Sequence, residues 1–501
     1  MKVTSLNLRS SHLTINEEAL LRCQAALEFK DKGRYESARE AMGRLWSRVG
    51  ERPNTEGLHA SVIAEVLLCT GILTRWIGSK NQIKDAQAIA KDLISESIAY
   101  YDNLGDLTKV AAARAELAYC YWREGALGEA RIMFQEALKK LTTEGNTRAG
   151  AILGLAVVEW SDSRFNESLQ ILKNNAVLFN KITNATIKGA YHNQIAVLLE
   201  ELAASGDRKA HLIHALKEYG QAEHFFKLAQ NKVYLADVKN NVGVVLFRLA
   251  RFKEAHGNLE QARRLTSTAR DKVGIAQIDD TRAQVFIAQN KLKEAEAVAK
   301  GAVRVLEKSG HQCLLADALV THGLALARMK QTERAQFTFQ KAISVAHGVG
   351  ALNKAGLAAL TMIEELDSLS PEVAFTAYDS ASEWLAKSQS PDLLIRLNVC
   401  ARKVLAMLRA ELAAEVSADP LANGSCDLHS KVLQFESGLI RQALAQANGS
   451  VTKAAALLDM SYQGLAYVIG SRHTDLLKER SPVRRRARKS RETGNAPTPQ
   501  D

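Results

Sequence analysis

Small and bulky apolar residues recur along most of this chain at a fixed distance, and that recurrence limits the fold more than any single motif. Ala255, Ala295 and Ala335 are 40 positions apart by subtraction. Each sits in a unit that reads small residue, turn, then an aromatic or aliphatic residue followed three positions later by Ala and seven later by a bulky apolar group. The clearest copies are Ala118, Tyr121, Gly125, Leu127, Ala130, Phe134, Ala137; Gly243, Leu246, Phe252, Ala255, Leu259, Ala262; and Gly323, Leu326, Thr332, Ala335, Phe339, Ala342. Spacings of three, four and seven put these residues on one face of a helix. A small residue in the first helix lets its partner approach closely. Such hairpins cannot bury their apolar faces alone, so neighbours stack into a superhelix with an extended concave face. Only 7 of the 501 residues are Pro, which agrees with an all-α fold.

Further copies lie around Phe29, Gly33, Tyr35, Ala38 and Met42, around Ala156, Phe165, Ser168 and Leu172, and around Ala283, Leu292, Ala295 and Ala302. Over roughly 17–390 the pattern resembles the tetratricopeptide repeat in a longer-helix form. The resemblance implies a helical-hairpin superhelix that receives a protein, peptide or small ligand. A short N-terminal tail, 1–16, precedes an array over 17–412. Residues 51–85 do not follow the repeat, and Ala203-Ala204-Ser205-Gly206-Asp207 interrupts it, predicting an extended hairpin or loop between Glu200 and Gln221. A helix from Asp392 to Glu411, entered after Pro391, closes the stack. Pro420, Asn423 and Gly424 mark a linker over 413–431.

Beyond the linker the pattern changes. Phe435, Leu439, Ile440, Ala443 and Leu444 make a one-faced helix, and Gly449 ends it. Ser450 offers a cap to a second helix, Val451–Leu458, in which Ala454, Ala455 and Ala456 permit close approach. A turn at Asp459-Met460 leads to a third helix from Tyr462 to about Ser471, capped by Ser461, with Leu465 and Ile469 as its buried pair. Over Leu439-Ile440, Ala443-Leu444, Gly449-Ser450-Val451, Lys453-Ala454-Ala455, Leu457-Leu458, Ser461, Gln463 and Leu465 the chain resembles the helix-turn-helix domain of the Fis family. Three positions depart from that family's pattern. Asp459 replaces a turn glycine, Gly464 a common threonine, and Ala466-Tyr467-Val468 an aromatic-Arg-Lys run. The domain is expected over 432–477, followed by a basic disordered tail, 478–501.

Charge complements this reading. The chain carries a formal +11, and Arg472–Arg491 holds nine Lys or Arg against two acids, a net of seven. That suits a polyanion partner. The resemblance implies double-stranded DNA and a two-fold pairing of heads. Tyr462, Gln463 and Tyr467 would face the major groove, where Gln can pair with adenine. Ser450, Lys453 and Ser461 would lie near the backbone, with Arg472, His473, Arg484, Arg485, Arg486, Arg488 and Lys489 supplying phosphate contacts. In the array, paired Asn240-Asn241 and Asp279-Asp280 occupy similar positions of neighbouring repeats and are candidates to line the groove.

Enzymatic chemistry has no evident seat. The sequence lacks a Walker loop, a GxSxG elbow and kinase signatures. Its six cysteines form no CxxC pair, and its histidines show no metal spacing, so no cofactor or metal is expected. With neither a signal-peptide pattern nor a run of about 18 uninterrupted apolar residues, a cytoplasmic protein without a membrane span is expected. The reading is a bacterial DNA-binding transcriptional regulator whose repeat array controls a Fis-type head. The alternative is a repeat scaffold whose basic end binds nucleic acid only nonspecifically.

Overall fold

From Lys232 to Gly348 the chain alternates helix and turn with little variation. The helices are Lys232–Arg248, Phe252–Thr268, Lys272–Ala288, Leu292–Leu306, Gln312–Arg328 and Thr332–Gly348. Left-handed backbone falls at Gln230, Ala250, Arg270, Asn290, Gly310, Lys330 and Gly350, every 20 positions by subtraction. At each within-hairpin turn the amide after the left-handed residue reaches back over the helix end. Arg251 N–H donates to Leu246 O at 2.8 Å, Lys291 N–H to Phe286 O at 2.9 Å and Gln331 N–H to Leu326 O at 3.0 Å. This is the Schellman arrangement, which satisfies carbonyls that the helix leaves open. Five of these seven left-handed residues are not glycine, so the turns hold against a local steric cost because the packing on both sides fixes them.

The computed structural model describes residues 13–203, 208–386, 390–417 and 427–480. All regular secondary structure among them is helical. The chain divides into two compact units, one ending at Arg409 and the other beginning at Ala410.

In the first unit the small residues do what their spacing predicts. Ala255, Ala295 and Ala335 are wholly buried, as are Leu259 and Phe339. A methyl group at Gly243 would stand 2.7 Å from Leu259, and one at Gly323 2.9 Å from Phe339. Residues 51–85 prove more regular than expected, since Ala60–Asn81 is one 22-residue helix. It is long and apolar enough to cross a membrane by composition, yet 72% of its apolar window is buried inside the array. Because it is apolar on most faces, it shows no repeat-like stripe. The expected extended hairpin is Ala185–Leu202 paired with the 21-residue helix Arg208–Leu228. Residues 204–207 lie outside the described residues.

The array also coils back on itself. Asn231 Nδ2 donates to Asp31 O at 2.8 Å, Asn184 Nδ2 to Asp31 Oδ2 at 2.8 Å, and Thr186 Oγ1 to Asp31 O at 3.0 Å. Trp76 stacks on Tyr35 at 5.9 Å and meets Tyr234 edge-on at 6.5 Å. Lys80 reaches Asp271 at 3.7 Å. The first hairpin therefore packs on helices about 150 to 200 residues further along, one superhelical turn away.

The closing helix runs Pro391–Ser417, not to Glu411, and buries Cys400 and Val404 against Leu360, Ile363 and Leu385. Residues 413–417, expected as linker, are helical because Ala, Glu and Val continue the pattern and no breaker comes before Pro420.

Beyond the end of the helix Pro391–Ser417, the described residues of the second unit form three helices, Leu428–Gln446, Val451–Leu457 and Tyr462–Ser471, then a short 3-10 turn, Thr474–Glu479. The first starts before Phe435, so 428–431 are helical rather than linker. Asp427 caps it, accepting from Ser430 N–H at 3.2 Å. Ile440, Ala443, Leu444, Val451, Ala454, Ala455, Leu465, Ile469 and Leu476 form the core. Phe435 and Leu439, expected on the same face as Ile440, are exposed instead, and Ala456 is exposed as well. The first helix is thus apolar on two faces, of which the core uses one.

Candidate nucleic-acid interface and repeat groove

The turn between the second and third helices of the head is built from residues that look like departures in the sequence. Asp459 takes the left-handed conformation at φ 53°, which Asp tolerates better than most residues. Met460 N–H then closes the turn on Ala455 O at 2.8 Å. At the preceding turn Gly449, with φ 76°, donates to Leu444 O at 2.8 Å. Ser461 Oγ accepts from Gly464 N–H at 3.0 Å and caps the third helix. Ser450, by contrast, stands at the start of the second helix with no capping bond from its hydroxyl. That corrects its expected capping role.

The third helix divides cleanly. Leu465 and Ile469 are fully buried, while Tyr467 is 71% exposed and Tyr462 46%. Gln463 is exposed beside them. An i, i+4 buried pair leaves the opposite face free, and that face holds Gln463 and Tyr467, while Tyr462 is exposed at the helix's first position. Lys453 on the second helix is exposed, and Ser450 is half-buried.

His473 does not belong with these surface groups. It is 4% exposed, and its Nε2 lies 2.9 Å from Glu436 Oε2. It ties the end of the third helix to the first, so its expected role at phosphate is corrected to a structural one. Arg472 is exposed but pairs with Glu436 at 3.5 Å, and Arg441 pairs with Asp475 at 3.1 Å and Glu479 at 2.9 Å. Residues 427–480 hold six Lys or Arg and five Asp or Glu, so the folded head is nearly neutral. Arg484, Arg485, Arg486, Arg488 and Lys489 lie outside the described residues.

In the array, the structure separates the two residue pairs singled out for the groove. Asn240 and Asn241 line a cavity of about 100 Å³, together with Asp237, Asp271, Gln277 and Lys232. Asp279 is instead held by Arg263 at 3.1 Å and Arg282 at 2.7 Å. Asp280 is buried and accepts from Gln284 at 3.1 Å. Burial, reinforced by the nearby Asp317 carboxylate, pushes its pKa up to about 7. Asp237 and Asp271 were missed in the sequence, although Asp237 precedes Asn240 by three positions on the same helix and so shares its face. Asp237 keeps accessible surface at this cavity but is crowded by protein on its other sides. That enclosure, with Asp271 beside it, pushes its pKa to about 7.

Beside this cavity is a cluster of rings and cations. Arg75, which is buried and paired with Glu116 at 2.6 Å, lies 4.9 Å over Tyr119 and 5.4 Å over Trp76. Arg123 lies 5.3 Å over Trp76 and 4.9 Å over Trp122. These contacts hold together the helices that carry Trp76, Tyr119 and Trp122.

A superhelix of helical hairpins and a small head with a capped, half-exposed third helix together define a repeat protein with a helix-turn-helix domain. Residues 432–468 match the family described as bacterial regulatory protein, Fis family, and residues 316–346 match the tetratricopeptide repeat. No curated protein matches the sequence. Among solved structures, a Rap protein complexed with competence and sporulation factor is 12% identical, covering 69% of this chain and 99% of its own, with TM-score 0.48. The apo form of the quorum sensor NprR from B. thuringiensis is 12% identical, covering 67% and 89%, with TM-score 0.47. A signal-transduction ATPase with a tetratricopeptide repeat sensor from Pyrococcus horikoshii is 13% identical, covering 80% and 65%, with TM-score 0.43.

Proposed function

We propose that this chain is a DNA-binding transcriptional regulator in which the repeat array receives a protein or peptide and the head reads double-stranded DNA in the cytoplasm. The observation that carries the reading is the third helix of the head. Its inner face is locked by Leu465 and Ile469, whereas Gln463 and Tyr467 stand exposed on the outer face and Tyr462 is exposed at the helix start. A helix that merely closed a solenoid would have no use for a rigid polar and aromatic outer face beside a basic tail. In this reading Gln463 and the two tyrosines contact base edges, while Lys453, Ser450, Ser461 and Arg472 lie toward the phosphates. The near-neutral head then takes most of its electrostatic attraction from Arg484, Arg485, Arg486, Arg488 and Lys489.

The exposed second face of the first helix supports a paired head. Leu428, Val432, Phe435 and Leu439 follow one another at spacings of four, three and four, a seam that suits a second copy of the same helix. Two heads so joined would read inverted half-sites. Sedimentation equilibrium of the full chain tests this point, with Phe435→Glu expected to convert a dimer to a monomer.

Mobility shift with competitor DNA at two salt concentrations tests the main reading. Sequence-selective retention at the higher salt is expected of a regulator. Uniform, salt-sensitive binding would support a scaffold with a nonspecific basic end.

A further inference from the structure

The cavity between helices Lys232–Arg248, Phe252–Thr268 and Lys272–Ala288 presents one carboxylate without a protein partner, a second that is engaged, and an amide oxygen whose bonding need is unmet. Asp237 makes no hydrogen bond or ion pair with any described residue, although it lines the cavity and faces the field of Asp271. Asn240, nine-tenths buried and lining the same cavity, leaves its Oδ1 without a partner. A buried carbonyl oxygen without a donor costs about 1–3 kcal/mol, so its presence at a cavity wall calls for a donor from outside. The nearby cations do not fill that role. Lys80 pairs with Asp271 at 3.7 Å, and neither Lys80 nor Lys232 comes within ion-pair distance of Asp237.

We propose that this cavity receives a cationic group of the bound peptide, an ammonium or guanidinium, which donates to Asp237 and to the Asn240 oxygen. The inference rests on the reading of the array as a peptide receptor and names the chemistry of the ligand. In its ionised form, which a bound cation favours, the Asp237 carboxylate only accepts, and with the amide oxygen it selects a multi-donor cation over a neutral or anionic group. Asp271 reinforces the selection, while its bond to Gly274 N–H at 2.9 Å and its pairing with Lys80 hold it in place.

The test uses the full chain and three acetylated hexapeptide-amide libraries, each randomised at five positions, with arginine, lysine or uncharged citrulline fixed at the sixth. Binding is measured by calorimetry on the intact protein and on Asp237→Asn. Retention of the arginine or lysine library about tenfold or more tighter than the citrulline library is expected, and Asp237→Asn should abolish that difference without changing the helical signal. If all three libraries bind equally, or if Asp237→Asn keeps the preference, the cation site is wrong while the peptide reading stands. If none binds, both readings fall.

Discussion

Asn231 and Asp31 are 200 positions apart in sequence, yet the Asn231 amide donates to the Asp31 carbonyl at 2.8 Å. The same side chain accepts from Tyr234 N–H at 3.0 Å and so caps the helix Lys232–Arg248. One buried residue thus starts a repeat helix and fastens the first hairpin to it. Asn231→Ala should lose both bonds and lower stability by about 1–3 kcal/mol. Native-state hydrogen exchange checks where the loss falls, with faster exchange expected in Ile15–Met42 and around Lys232 than in Gln312–Glu365.

The left-handed turn at Ala250 carries a steric cost that glycine would not. Its φ is 57°, and the adjoining bond from Arg251 to Leu246 depends on that geometry. Ala250→Gly should raise stability by about 0.5–1 kcal/mol, the relief of left-handed strain exceeding the added freedom of the unfolded chain. Urea unfolding followed by circular dichroism measures it, and a lowered midpoint would show that the turn is unstrained.

Asp280 makes stability depend on pH. Its pKa is raised from 3.8 to about 7, so the native state holds a proton that the unfolded state has released between these values. Stability therefore falls as pH rises through that window, and the cost is complete above pH 7. Asp280→Asn keeps an acceptor for Gln284 and removes the charge. It should flatten the decline and stabilise the protein at pH 8 by a few kcal/mol, since each tenfold change in proton affinity is worth roughly 1.4 kcal/mol. Thermal melts of both proteins from pH 5 to 8 check the sign.

The repeat array was legible in the sequence because Ala255, Ala295 and Ala335 mark wholly buried positions at a fixed spacing. The 20-residue alternation within it was hidden, since Gln230, Ala250, Arg270, Asn290 and Lys330 adopt a conformation that sequence assigns to glycine. The closure on Asp31 was also invisible, because it joins residues about 150 to 200 positions apart through side chains that read as ordinary caps. In the head, Leu465 and Ile469 were legible from helical spacing. His473 and Phe435 were misplaced for opposite reasons: a histidine next to arginines looks exposed until Glu436 is seen beside it, and a phenylalanine in an apolar helix looks buried until that helix is seen to have two apolar faces.

The tail should dominate the salt dependence of DNA binding. Residues 484–491 contain six Lys or Arg, whereas the described head carries a net +1. Deleting 482–501 should reduce the slope of log affinity against log salt by roughly 3 to 5, at about 0.9 per phosphate neutralised. Titrations at four salt concentrations measure it, and an unchanged slope would assign the charge contacts to the head.

The most direct measurement is genome-wide mapping of bound DNA for the intact protein, for Gln463→Ala and for a chain truncated before Phe435. Discrete sites in the intact protein, blurred by Gln463→Ala and erased by truncation, are expected of a regulator that reads sequence through its third helix. Identical maps for the intact and truncated chains would contradict it.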